Sequence, residues 1–250
     1  MRWKSAIVYF FSVSAFVTAW WLVSLTTLPI FVPSPWLTLQ SAVDLTKSLE
    51  LPKAVAVSFF RIISGWLLGA LVGVPLGLVM GRVPLIRKAA TPYVEFFRFI
   101  PPIAFVTLFL IWFGVGEQSK ILLIFYTSVF IVVVNTMAGV LSIKSNSIRA
   151  ALCLGASNKQ ILWRVILPET VPHIVTGMRL AMGNSFMTIV AAEMLAASSG
   201  IGFIMWTSRG YMLTDQIFVA LIALGLMGFT ADWLFRFATS KLLSRFRVFR

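Results

Sequence analysis

His173 is the only histidine in the chain, and a hydrolase built on it would need Ser185 or Ser198 as nucleophile. Ser185 lies twelve residues further along what reads as a single helix. At 1.5 Å of rise per residue the two side chains are about 18 Å apart along the axis, far beyond the reach of a nucleophile and its base. A metal site fares no better, because His173 and the single Cys153 have no second histidine or cysteine at ligand spacing. The lone cysteine also rules out an internal disulfide. No G-x-x-x-x-G-K-S/T stretch occurs, so there is no P-loop for ATP, and no cofactor of the chain's own is expected. Glu95 and Arg98 stand three residues apart, the spacing of a helical ion pair that neutralises itself. Glu193 has no partner near it in the sequence, and it either gates a path or reaches into water at the outer end of its helix.

The elements that must position these groups are apolar. With 59% hydrophobic and 12% charged residues and a mean hydropathy of +0.94, the chain lacks the polar surface to cover a water-soluble globule. Its net charge of +13 would suggest nucleic acid in a soluble protein. Here the basic residues cluster at the ends of apolar runs, which is a topology signal; membrane lipid, and no nucleic acid, is the expected partner. A hydrocarbon core about 30 Å thick takes ~20 apolar residues as helix. Six such spans fall near 5–29, 56–80, 91–113, 118–141, 171–196 and 216–238. The first exceeds the ~7 to 15 residues of a signal-peptide core and carries Trp20-Trp21 with no A-x-A cleavage site, so it reads as a retained helix.

With the N-terminus in the cytoplasm, Arg2, Lys4, Arg82, Arg87, Lys88, Lys144, Arg149, Lys159, Arg164, Arg236, Lys241, Arg245, Arg247 and Arg250 lie inside. Only Lys47, Lys53, Lys120 and Arg209 then lie outside, and Arg61, Arg98 and Arg179 fall within or at the edges of spans. The positive-inside rule therefore places both termini in the cytoplasm. The expected fold is an all-α membrane protein of six transmembrane helices with a cytoplasmic elbow between the fourth and fifth. It divides into an N-terminal transmembrane helix (1–30), an outer interfacial segment entered through Pro33 and Pro35 (31–55), a membrane core (56–240) and a basic cytoplasmic tail (241–250).

The second span carries Gly65, Gly69, Gly73, Gly77 and Gly81. A glycine every fourth residue lets a neighbouring helix cross closely, and Pro75 among them should bend the helix. The fifth span has a similar face of Gly177, Ala181, Ser185, Thr188 and Ala192 with Asn184 beside it; this weakly polar face either packs or lines a path, and both readings stay open. Pro101-Pro102 interrupts the third span and frees the carbonyls of Phe97 and Arg98, making a static kink or a hinge. The apolar patch from Ile201 to Trp206 is too short to cross a bilayer and folds back as a re-entrant or interfacial piece.

Between spans four and five, Ser147 is placed to cap a short helix through Leu154, and Gly155 supplies a left-handed exit. Ser157 and Gln160 form an S-x-x-Q capping box that starts a second helix, which Pro168 ends. Ile148, Leu152, Ile161, Leu162 and Val165 offer apolar surface, while Gly155-Ala156 leaves the corner nearly bare. This is the shape of a plug for another protein's groove.

The stretch "RAALCLGASNKQILWRVILPETVPHIVTGMRLAMGNSF" resembles the EAA-type loop and following helix of permease subunits of binding-protein-dependent ABC importers. "VEFFRFIPPIAFVTLFLIWFGVGEQSKI" and "VAAEMLAASSGIGFIMW" resemble the branch that moves taurine and aliphatic sulfonates, nitrate and bicarbonate. Arg149 stands where that loop usually has its glutamate, followed by Ala150-Ala151. The resemblance implies a transport subunit of the bacterial inner membrane, without catalytic residues or metal, paired with a second copy of itself. It also implies two cytoplasmic ABC ATPase subunits, which bind ATP and Mg, and an extracytoplasmic solute-binding protein. The coupling residues it implies are Arg149, Ala150, Ala151, Leu152, Gly155, Ala156, Ser157 and Gln160; Asn184, Ser185, Thr188, Glu193, Pro101 and Pro102 are the candidates for path or gate. The solute it points to is taurine or another alkanesulfonate, with nitrate, bicarbonate or a pyrimidine precursor as alternatives. An intramembrane hydrolase and a passive channel are the rivals from other classes.

Overall fold

The computed structural model describes residues 2–242, and all regular structure among them is helical. The helices are α1 (Arg2–Thr26), α2 (Pro35–Lys47), α3 (Glu50–Arg82), α4 (Pro84–Phe99), α5 (Pro102–Phe113), α6 (Glu117–Leu141), α7 (Ser145–Cys153), α8 (Asn158–Ile161), a π-helical turn (Leu162–Ile166), α9 (Leu167–Ala196), α10 (Ile201–Gly210) and α11 (Thr214–Leu242). Five helical stretches are long and apolar enough to cross a membrane, six if α4 and α5 are one broken span. The basic tail from residue 243 onward lies outside the described residues.

The glycine stripe explains the centre of the bundle. Gly65, Gly69, Gly73, Gly77 and Gly81 face Ile124, Ser128, Val132, Thr136 and Val140 of α6 in the same chain order, so α3 and α6 run parallel. A Cβ on Gly77 would stand 2.6 Å from the Cβ of Thr136, and one on Gly65 equally close to Ile124, so the backbones meet where a side chain would hold them apart. Against the other side of α6, α9 runs antiparallel: Gly139 meets His173 and Gly177 meets Asn135. The central helix is therefore gripped on two sides. Ile62, Trp66, Ile124, Val132, Ala181, Phe186, Ile189 and Ile201 form the main buried cluster around it.

Three local expectations are corrected. Residues 91–113 are not one kinked helix, because α4 and α5 meet at 97°; Pro101 caps α5 and Pro102 opens it, so the missing donors fall where a helix start needs none. The first elbow helix begins at Ser145 with Lys144 as its cap, and Ser147 lies inside it. Pro168 does not end the second, which continues from Asn158 to Ala196 as a 39-residue stretch. The π-helical turn is the reason: the Leu167 N–H reaches back to the Leu162 carbonyl, widening the backbone just where a proline ring would clash with the carbonyl four residues before it.

At the other face α2 begins at Ser34, whose Oγ accepts from the Leu37 N–H. Trp20 ties α1 to this region, stacking on Phe218 at 5.6 Å and donating to the Pro33 carbonyl at 3.0 Å. The patch from Ile201 to Trp206 is part of α10, which packs on α9, α11 and α3 with Ile201, Gly202, Ile204 and Met205 buried.

Candidate functional site: a coupling elbow and a translocation face

The elbow is rigid by local chemistry. α7 closes with a Schellman turn: Gly155 N–H donates to the Leu152 carbonyl at 2.9 Å and Ala156 N–H to the Ala151 carbonyl at 3.0 Å. Gly155 has φ +77, and a Cβ placed on it would meet no other atom within 4 Å. There the left-handed conformation favours glycine, and the space outside is open. The capping box then starts α8, with Ser157 N–H donating to Gln160 Oε1 at 2.8 Å and Gln160 N–H to Ser157 Oγ at 3.3 Å.

Burial sorts the elbow's apolar residues differently from the sequence expectation. Ile161 is fully buried with Ile166 and Val140, anchoring the elbow beneath α6. Leu154 at the tip is 88% exposed, and Leu152 and Trp163 are exposed as well. Arg149, Ala150, Gly155, Ser157 and Gln160 are exposed, and Ala151 and Ala156 half-buried. A bare glycine corner with a protruding leucine is thus held on a stiff base.

On α9 the weakly polar face splits in two. Ser185 is buried, with its Oγ 3.0 Å from Ser128 Oγ and donating to the Ala181 carbonyl at 2.8 Å. Thr188 is buried too, 3.1 Å from Thr127 across the same seam. Asn184, Leu180 and Met187 are exposed on the adjoining face. Asn184 and Leu180 stand between two grooves, one against α11 and one shared with α4 and α6, which Arg98, Phe130 and Asn135 also line. The bend at Pro101-Pro102 borders that second groove, and the Phe97 carbonyl it frees accepts from Tyr126 Oη at 2.5 Å. Glu95 and Arg98 pair at 2.7 Å.

Glu193 neither projects into outer water nor lacks a partner. Its side chain is buried, and its carboxylate accepts from Arg61 Nη1 at 2.8 Å, Ser58 Oγ at 2.8 Å and the Gly202 N–H at 2.9 Å. Arg61, 1% exposed, also donates to both oxygens of Glu117 and to the Ser199 carbonyl. This network joins α3, α6, α9 and the turn into α10. Two unpaired intramembrane charges of opposite sign, Arg61 and Glu193, are the sequence signal for it, but nothing in the sequence says that those two spans meet. A second cluster that sequence reasoning missed joins α9 to α11: Arg179 donates to Asp232 from Nε at 2.5 Å and Nη2 at 3.0 Å, and Arg236 pairs with the same carboxylate. His173 Nε2 lies 3.4 Å from Ser142 Oγ, so the histidine and Ser185 are each engaged elsewhere.

The architecture is that of an ABC transporter's membrane subunit. The solved inward-facing MetNI methionine ABC transporter has a chain of the same fold, with TM-score 0.64, 18% identity, and coverage of 76% of this chain and 97% of that one. Residues 73–244 match the family described as binding-protein-dependent transport system inner membrane component, and the chain belongs to that family. It is 36% identical over 228 residues to the taurine transport system permease protein TauC of Escherichia coli, spanning 88% of this chain and 83% of that one. Similar relatives are the putative aliphatic sulfonates transport permease SsuC of Bacillus subtilis (32% identity, 85% and 77% covered) and the nitrate import permease NrtB of Leptolyngbya laminosa (33%, 76% and 68%). The chain is therefore an ABC importer permease of the branch that holds these relatives, and a multi-pass protein of the bacterial inner membrane.

Proposed function

We propose that two copies of this chain form the translocation path of an ATP-driven importer, with two cytoplasmic ATPase subunits seated on the elbows and an extracytoplasmic binding protein delivering the solute. Both termini and the elbow face the cytoplasm, where the basic residues concentrate. ATP and Mg belong to the ATPase partners. The observation that carries the reading is the elbow itself, a glycine corner with open space around it, capped on both sides and continuous with α9.

Movement of the ATPase pair on binding ATP pushes on the corner. Because Asn158 to Ala196 is one continuous helical stretch that runs through the π-helical turn, a tilt at the elbow is carried along it to the exposed Asn184 face. The ATPase shifts the balance of inward-open and outward-open states only by binding them unequally. A bulkier corner should break this coupling. Gly155→Trp adds a side chain at φ +77 and fills the docking space; a tagged variant inserts in the membrane but no longer brings a P-loop ATPase through purification, whereas wild type does. Normal recovery of the ATPase with Gly155→Trp would sink the elbow assignment. A wild-type chain that conducts solute with no ATPase would make it a passive channel.

The solute is a small oxyanion, with taurine or another alkanesulfonate first and nitrate second. The relatives named for taurine, sulfonates and nitrate support that class. Binding of candidate solutes to the binding protein that works with this chain tests it directly.

A further inference from the structure

We propose that the groove between α9 and α11 is a transient station for a small oxyanion inside the membrane, with Arg179 as its contact and Asp232 as the counter-charge that keeps the hold weak. The inference rests on the oxyanion reading above and deepens it by giving the solute a place.

The groove has a volume of about 520 Å³ and is lined by Val175, Arg179, Asn184, Phe186, Met187 and Asp232. Arg179 is the thirteenth residue of α9, about 18 Å along that helix from its start. Asp232 lies ten residues before the end of α11, about 15 Å by the same rise. Against the spans expected at 171–196 and 216–238, Arg179 and Asp232 stand about 12 Å and about 9 Å in from the cytoplasmic ends, in the inner half of the core. Yet their side chains are 44% and 28% exposed. Ionised groups at that depth are too costly to face lipid and require water or a protein wall, so this side of the chain faces the path or the second copy that lines it.

Charge then selects the solute. On the groove wall Arg179 faces Asp232, and because that one carboxylate is shared with Arg236, Arg179 is only partly neutralised. Nε and Nη2 of Arg179 are held by Asp232, while Nη1 has no acceptor among the described residues. That Nη1 can make a charge-assisted hydrogen bond to an oxygen of a sulfonate, nitrate or bicarbonate. Asn184 gives one amide hydrogen to the Leu180 carbonyl at 3.2 Å and keeps the other for the solute. A path must hold its solute firmly enough to admit it and loosely enough to release it. An arginine already half-neutralised by Asp232 meets both conditions; a bare one would trap the anion.

The test uses proteoliposomes holding this chain with its ATPase and binding protein, and radiolabelled taurine, ethanesulfonate, nitrate and bicarbonate as probes. Arg179→Gln leaves Asp232 paired with Arg236, so no buried charge is orphaned. Solute carried per ATP hydrolysed falls about tenfold in this variant for whichever probe wild type transports. The exchange of Arg179→Asp with Asp232→Arg separates the roles. A merely structural bridge is restored by the exchange and transport returns; a station whose donor has moved to α11 stays impaired. Unchanged transport in Arg179→Gln, or recovery in the exchanged pair, overturns the station. Wild type that moves none of the probes, while its ATPase responds to the loaded binding protein, overturns the oxyanion class and the station together but leaves the permease reading standing. A wild-type ATPase indifferent to the loaded binding protein overturns the permease reading instead.

Discussion

The two arginine–carboxylate clusters of this chain use the same side chains and serve opposite ends. Toward the outer end, Arg61 is buried and its donors are spread over Glu193, Glu117 and Ser199, while Glu193 is closed in by Ser58 and the Gly202 N–H as well. Between α9 and α11, Arg179 and Asp232 are open on one side and one nitrogen is without an acceptor among the described residues. Satisfied and buried, charges fasten helices; half-satisfied and wet, they can exchange partners. The first cluster fixes α3, α6, α9 and the start of α10 into one body, so motion in transport belongs between such bodies. Even the turn takes part, since Gly200 at φ +113 passes so close to the Glu193 carboxylate that no side chain fits there.

Glu193→Leu should give the largest effect that tests this contrast. It strips Arg61, Ser58 and the Gly202 N–H of a buried acceptor. Arg61 keeps Glu117 and Ser199, so the loss falls at the low end of the ~3–5 kcal/mol that breaking a buried pair costs, seen as a lower thermal midpoint in detergent. Adding Arg61→Leu should recover part of the loss, because replacing both members by apolar groups removes the under-satisfied buried charge. A single Glu193→Leu as stable as wild type would show that the outer cluster fastens nothing. Asp232→Asn, by contrast, should change stability by no more than about 1 kcal/mol, since its partners are partly hydrated. A loss as large as that at Glu193 would mean the α9–α11 groove is closed in the assembled protein and would erase the difference between the clusters.

What is legible in the sequence follows the same division between local and distant. The glycine stripe is readable because its period lies within one helix, and the structure pairs it residue by residue with α6. The Ser157–Gln160 box and the Gly155 exit are readable because caps are made by neighbours. Glu95 and Arg98 pair as their spacing says. Arg61 and Glu193, separated by 132 positions, stand out only as two charges that each need something. Pro168 misleads for a related reason: a proline usually stops a helix, and the π-helical turn that admits it carries no composition signal. On α9 the period identifies a small-residue face but not the side of it that Ser185 takes, because hydroxyls serve a tight seam as well as a wet one.

That seam offers the smallest and most discriminating measurement. Ser185 and Thr136 are both buried hydroxyls on the seams around α6, one exchanging a hydrogen bond with Ser128 and the other with no partner for its Oγ1 among the described residues. If satisfaction rather than burial is what makes a polar group fasten helices, the two must respond differently. Ser185→Ala should cost about 0.6 kcal/mol, the typical worth of such a bond between membrane helices. Thr136→Val keeps the shape that Gly77 packs on and removes a hydroxyl with no partner among the described residues, so stability should hold or rise by about 1 kcal/mol. A loss at Thr136 equal to that at Ser185 would reveal that its hydroxyl is satisfied after all, by water or a neighbouring chain, and that the α3–α6 seam is less dry than its glycines make it.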